Sequence, residues 1–443
     1  MYYPTTSEQK SARQEKVIKT LKRLIWAYFW LLIFEGALRK WIVPPLSTPL
    51  LIVRDPIVLI AYFQALEHDL FPKDRFTKSI IAMAFLFLFV HLGVLIMEGN
   101  NLLNVIIFGM RTNFLHLPFI FLIAKIFDLE DVKKVGKWVL ILSLPMALLM
   151  VLQFNVSPEH FLNRGAGGDG VGQITANFGK IRPPALFSFS NGVTFFYALA
   201  TAFFLFGLVT VNAYPNSLMV CSGIGILTGA MVSVNRGLVL SIALVVIGWL
   251  YGIWRQGKLF GATTRLIGFA GFLAMVLSLT DFFRKGLEVT TYRFEQGGTG
   301  RTIIQRIFDR VISTMTSPFQ DLDNVPLFGY GIGIGTNAGS KLIFGRVYFL
   351  VSEAEWGRII YESGPILGSS FLLWRCLLVI WLGLFSLRQL AKDNILPTLI
   401  FSATAYNLLL GQFGQPTAQG FAALSAGLTL AACRLPGEKL SWL

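Results

Sequence analysis

Residues 79–97 read SIIAMAFLFLFVHLGVLIM, a run with no Asp, Glu, Lys or Arg, bounded by Lys78 and Glu98. A helical bilayer crossing needs about 20 mostly apolar residues, so Ser79–Met97 is expected to span a membrane as one helix. Working outward, similar runs occur at Leu21–Ala37, Leu50–Leu66, Val105–Ile123, Val135–Phe154, Ala185–Val211 and Ser217–Val234. They continue at Leu238–Trp254, Leu266–Phe283, Ile359–Leu387, Leu396–Gly411 and Thr417–Cys433. Composition agrees: 54% of the 443 residues are hydrophobic and 14% are charged, where a soluble domain carries about 25% charged residues. The expected fold is an all-α polytopic membrane protein of about twelve transmembrane helices.

The net charge of +14 would suit nucleic acid, but its placement assigns it to topology. The termini and even-numbered connections, among them Lys10–Arg23, Lys73–Lys78, Lys125–Lys137, Arg255–Arg265, Arg388–Lys392 and Arg434–Lys439, hold 20 Lys and Arg. The short odd-numbered connections hold 6, namely Arg39, Lys40, Arg164, Lys180, Arg182 and Arg236. By the positive-inside rule both termini are expected in the cytoplasm, with membrane lipids as partners and no nucleic acid. The basic stretch before the first apolar run lacks a small-x-small cleavage site, so that run is expected to be a retained helix. The expected division is a basic N-terminus at 1–23, helices one to nine at 24–283, an outer loop at 284–358, helices ten to twelve at 359–433, and a tail at 434–443.

The outer loop carries Ile303, Ile304, Ile307, Val311, Ile312 and Met315 at helical spacing, with Thr302 and Gln305 placed as a capping box. An amphipathic helix lying at the membrane surface is expected there. Cys221, Cys376 and Cys433 fall in or beside apolar runs and read as small core residues. His68, His91, His116 and His160 are scattered without zinc spacing, and Asp321–Leu322–Asp323 reads as a solvated loop pair. Neither a metal nor a cofactor is expected. The glycine run Phe328–Gly335 has no following Gly-Lys-Ser/Thr and no surrounding βαβ unit, which argues against a nucleotide site and for a backbone held close to a helix or substrate.

Charges inside apolar runs are costly and face partners or cavities. Arg54 and Asp55 interrupt the second run, and Pro56 after them predicts a helix break. They read either as an ion-pair cluster with Glu35 and Arg39 or as functional groups, and Arg111 is open to both readings. Arg182, Arg236 and Arg301 sit beside small and polar residues on the expected outer side. Each alone suits headgroup contact. Together they suit an anion, because guanidinium donors form a planar fork for phosphate oxygens. At the loop's end Glu355, Arg358 and Glu362 share one helical face, either as a salt-bridge ladder or as the seat of a carboxylate that takes a sugar hydroxyl's proton.

Four motifs carry a resemblance: Arg182…Phe187…Asn191, Asn235–Arg236–Gly237, Pro326…Gly329–Tyr330–Gly331…Gly333, and Glu362–Ser363–Gly364…Gly368. With the helix plan they resemble the O-antigen ligase/polymerase superfamily, over roughly residues 100–430. The resemblance implies a bacterial inner-membrane glycosyltransferase in surface polysaccharide synthesis. Its donor would be a glycan on undecaprenyl diphosphate, its acceptor a glycan or lipid, and it would need no metal. Arg236 and Arg301 would contact the diphosphate, with Arg182 and Arg111 as further candidates. Ligases of that superfamily carry a His–Asn pair where this chain has Glu353–Ala354. That departure favours polymerisation, with Arg301 and either Glu353 or Glu355 in the catalytic set. The competing reading is a membrane transporter of a small anion.

Overall fold

The computed structural model describes residues 6–98, 102–166, 173, 175, 179–258, 303–320, 322–345, 352 and 354–434, with isolated positions between 261 and 288. Among the described residues there is no strand, only an isolated bridge between Thr175 and Ile181. The longer helices are α1 (Thr6–Ala37), α2 (Asp55–Glu67), α3 (Arg75–Glu98), α4 (Leu103–Met110), α5 (Leu117–Ile126), α6 (Leu129–Asn155) and α7 (Ser190–Val209). They continue as α8 (Asn216–Val232), α9 (Arg236–Arg255), α10 (Ile303–Thr316), α11 (Asn337–Phe344), α12 (Glu355–Arg388), α13 (Leu396–Leu410) and α14 (Pro416–Ala432).

Among the described residues, seven segments are long and apolar enough to cross a membrane: Pro49–Glu67, Arg75–Met97, Leu103–Ile126, Leu129–Asn155, Ser190–Val209, Arg236–Arg255 and Glu355–Lys392. Asn216–Val232 and Leu396–Leu410 are apolar but shorter. Helix covers eleven of the twelve expected runs, and most of the remaining one, Leu266–Phe283, lies outside the described residues.

The packing has a centre and a rim. In the Ser190–Val209 window 83% of residues are buried, against 17% for Arg75–Met97, so α7 is central and α3 peripheral. α5 and α14 feed both apolar cores. Phe119, Leu122 and Leu424 pack into one, and Phe121, Ala423 and Leu430 into the other. Small residues permit the close approach, as expected where helix association rests on packing. A Cβ at Gly225 of α8 would lie 2.6 Å from the Leu144 nitrogen of α6. Cys433 is buried as expected, whereas Cys221 faces outward from α8. An exposed apolar surface suits lipid, so an apolar run did not specify the core for that residue.

The helix ends sort into two sets. At one end Lys22 pairs with Asp128 and Asp131, Lys258 pairs with Asp393, and Arg434 donates to the Lys125 carbonyl. At the other, Arg39 meets Ser188, and Asn191 meets Gln415. This second end, the site end below, collects most of the sequence motifs. α10 forms as expected, with Met315 packed on a core while Phe308 and Ile312 stay exposed. Thr302 of the expected capping box lies outside the described residues.

Candidate functional site

The site is built on a break in α12. Gly364 has φ +78 and ψ 169 inside the helix, and Pro365 follows it. A proline removes the N–H that would bond the carbonyl four residues back, here that of Tyr361. The glycine-rich loop supplies the missing donors: the Tyr330 N–H bonds the Tyr361 carbonyl at 2.8 Å, and the Gly331 N–H bonds the Glu362 carbonyl at 3.0 Å. The approach needs glycine. A Cβ at Gly329, where φ is +74, would lie 2.5 Å from the Gly364 nitrogen. Gly333 packs against Gly109 of α4 in the same way. The loop therefore approaches two helices closely and fills the kink.

Below the kink lies a balanced charge network. Arg358 donates to Glu355 through Nε and Nη2, both at 2.9 Å, to Glu362 at 2.6 Å and to Asn113 at 2.8 Å. Arg375, one helix segment further on, donates to Glu355 at 3.0 Å and to the carbonyls of Leu408 and Gly411. Its guanidinium lies 4.0 Å from the Phe413 ring centroid. Glu362 also accepts the Gly335 N–H at 2.8 Å, and Glu355 the Phe413 N–H at 3.1 Å. All four charged side chains are buried, two of each sign.

A second network occupies α1, α2 and the π-helical turn Arg111–Leu115 between α4 and α5. Glu35 lies between Arg39 at 3.4 Å and Arg54 at 3.2 Å. Arg54 continues to Tyr28, Tyr28 bonds His116 at 2.8 Å, and His116 bonds Asp55 at 3.0 Å. Asp55 is gripped by Arg111 through two nitrogens. Asn113 of the same turn reaches Arg358, so one short irregular segment touches both networks. The expected helix break is present, since Arg54 caps α2.

Each sequence-derived site residue can now be placed. Arg111 is engaged by Asp55, and Glu355 accepts four hydrogen bonds inside the balanced network. Arg182 is half-buried in the segment leading to α7, and Arg236 is exposed as the first residue of α9. Their segments meet at the start of α7, where the Asn235 amide donates to Thr194 at 2.9 Å. Two strained residues flank them, Ala185 at φ +50 and Val234 at φ +49. Positive φ at a β-branched residue is a marked outlier. Arg301 and Glu353 lie outside the described residues.

Sequence reasoning missed Tyr28, His116, Asn113 and Arg375. Arg375 was findable, since a charge within the run Ile359–Leu387 carries the same signal that singled out Arg111. Tyr28, His116 and Asn113 are uncharged side chains whose roles depend on contacts between distant helices. Among the described residues no group of three or more His, Cys, Asp or Glu could hold a metal ion. The chain matches no protein-family model and no curated protein.

Proposed function

We propose that the chain is a glycosyltransferase of the O-antigen polymerase/ligase type in the bacterial inner membrane, with twelve spans and both termini cytoplasmic. It acts at the outer face on a glycan linked to undecaprenyl diphosphate, and polymerises rather than ligates. One observation carries this reading: the four motifs behind the resemblance, scattered from Arg182 to Gly368, lie along one path of hydrogen bonds and close backbone approaches. Asn235 binds Thr194, one turn inside the helix whose second residue is Asn191, and Asn191 binds Gln415. Beside Gln415, a Cβ at Gly414 would lie 3.5 Å from Thr336 and 3.9 Å from Arg358. Gly335 then binds Glu362. The positive φ at Val234 supports the reading too, because strain of this kind concentrates at functional sites.

In the proposed reaction the bond from the sugar's anomeric carbon to the diphosphate oxygen breaks, and a bond to an acceptor hydroxyl forms. Arg236, Arg301 and Arg182 stabilise the charge that grows on the departing diphosphate, the role a divalent cation fills elsewhere. The acceptor's proton goes to a carboxylate. Glu355 is engaged by two arginines and a backbone N–H, so the role falls to Glu353.

The test is transfer by purified protein from a lipid-diphosphate glycan donor. Removing a donor to a developing charge costs about 3–4 kcal/mol, a hundredfold or more in rate, and Arg236→Ala is expected to show that loss. Arg236→Lys should rescue poorly because it lacks the fork. Full turnover by both variants refutes the role of Arg236. No transfer by the wild type, with uptake of a labelled small anion into vesicles, refutes the transferase reading and favours a transporter.

A further inference from the structure

We propose that the turn ending α1 is a phosphate seat made by residues other than the three arginines assigned to the donor diphosphate: Arg39 and Lys40, with Arg54 behind them. The chain leaves α1 through a π-helical turn, Leu38–Ile42, that holds two consecutive basic residues inside the protein. Arg39 is 6% exposed and Lys40 is 0% exposed. An ammonium has three donors. Lys40 uses one on the Ala185 carbonyl at 2.6 Å and lies 4.2 Å from the Trp41 ring centroid. Among the described residues no carboxylate lies within ion-pair distance of it.

Its neighbours do not supply the missing charge. Arg39 and Arg54 share the Glu35 carboxylate, one oxygen each, at 3.4 and 3.2 Å, both longer than the roughly 2.7–2.9 Å of a charge-assisted bond. With Lys40 ionised, three buried cations would stand against one carboxylate; burial pushes the Lys40 pKa well down, so a bound anion is what would hold its charge in place. Adding the adjoining Asp55–Arg111 pair changes nothing, because it is neutral by itself. Buried charges are ordinarily paired, and a surplus of two calls for a ligand of about the opposite charge. A phosphate monoester carries about −1.5 to −2 near neutral pH, whereas a carboxylate would cancel only half the surplus.

The surroundings suit such a group. Ser188 accepts from Arg39 at 3.0 Å and keeps its hydroxyl proton for a phosphate oxygen. Trp41 covers Lys40 but is itself half-buried, and its ring N–H reaches the Phe161 carbonyl. The phosphate could belong to a lipid headgroup or be free in solution, and the two share the same recognition chemistry.

The experiment measures thermal unfolding of the purified full chain in a phosphate-free maltoside, with inorganic phosphate, short-chain phosphatidic acid, or short-chain diacylglycerol as the phosphate-free control. The wild type is expected to gain thermal stability with a phosphate-bearing probe and not with diacylglycerol. A response to phosphatidic acid alone assigns a lipid headgroup, and a response to inorganic phosphate as well assigns a free anion. Lys40→Met should be more stable than wild type without ligand and should bind the probe roughly tenfold more weakly or worse, the loss expected for one hydrogen bond to a charged group. Ser188→Ala, which leaves the charges in place, should weaken binding by a smaller factor and serves if Lys40→Met does not fold. Absence of any phosphate effect on the wild type, or an undiminished effect in the folded variants, overturns the proposal. Donor turnover tests the transferase reading and these shifts test the seat, so either can fail alone.

Discussion

The two buried charge networks are built from the same residue types and differ in balance. Around Arg358 two cations meet two carboxylates, and the ion-pair distances run from 2.6 to 3.0 Å. Around Glu35 two guanidiniums share one carboxylate at 3.2 and 3.4 Å, with Lys40 beside them. Buried pairs hold together only when geometry and hydrogen bonding offset desolvation. The first network meets that condition from within and serves to fix the kink of α12 against the glycine-rich loop. The second does not meet it from within.

The comparison is broken most severely at Arg358. Arg358→Met removes the one cation that, among the described residues, pairs with Glu362, and one of the two that hold Glu355. Stranding a buried charge costs about 3–5 kcal/mol, a large share of the roughly 5–15 kcal/mol that holds a protein folded. The expected outcome is a large fall in the thermal unfolding midpoint of the solubilised protein. Arg358→Lys should recover little, since one ammonium cannot reproduce the fork that reaches Glu355, Glu362 and Asn113. A well-folded Arg358→Met would show that the network is dispensable.

The glycine loop comes next. Gly329→Ala places a methyl group against the backbone of Glu362 and Gly364, at a residue with φ +74. Overpacking of this kind costs about 1–3 kcal/mol. Because the loop supplies donors to the kink, the strain should spread beyond its own segment. Hydrogen exchange is expected to rise at Tyr330 and Gly331. Unchanged protection there would mean that the kink holds without the loop.

Arg54→Met sharpens the contrast. It removes bonds to Glu35, Tyr28 and the Pro416 carbonyl, yet it leaves Glu35 paired with Arg39 and reduces the cation surplus. The expected cost is about 1–3 kcal/mol from hydrogen bonds to a charged group, below that of Arg358→Met when both are followed by thermal unfolding. Equal costs would erase the distinction between the networks.

Much of this was legible in the sequence. Apolar runs located the helices, and charges within those runs marked Arg54, Asp55 and Arg111. The i, i+3 and i+7 spacing of Glu355, Arg358 and Glu362 foretold one face, because that relation is local. The link from Asn113 to Arg358 joins residues 245 apart, and no local period encodes it. Lys40 illustrates a different limit. A lysine just past an apolar run reads as interfacial, and only the packing of Ala185 and Trp41 around it shows that it is enclosed.

The smallest expected effect lies at the opposite end of the bundle, where the charge pattern is inverted. Here one cation, Lys22, is shared by two carboxylates, Asp128 and Asp131, and Asp128 has a half-exposed side chain. Asp128 also caps α6, accepting the Asp131 N–H while the Asp131 side chain accepts its own N–H. Burial pushes the Asp128 pKa up, but Lys22 and the Asp131 N–H outweigh it, so the folded value falls below the usual 3.8. The sign follows from linkage: a depressed carboxylate stabilises the fold fully above its unfolded pKa and loses that contribution as pH falls through the folded value. Asp128→Asn keeps a capping side chain but loses the ionic part, so it should match wild type in strongly acid solution and fall slightly below it near neutral pH. Water screens the pair, and exposed ion pairs contribute only about 0–1 kcal/mol, whereas Asp128→Ala also removes the cap at about 0.5–2 kcal/mol. Thermal unfolding of the three proteins across the acid range measures both differences. A neutral-pH loss in Asp128→Asn as large as that in Arg358→Met would mean that burial is not what separates the strong networks from this one.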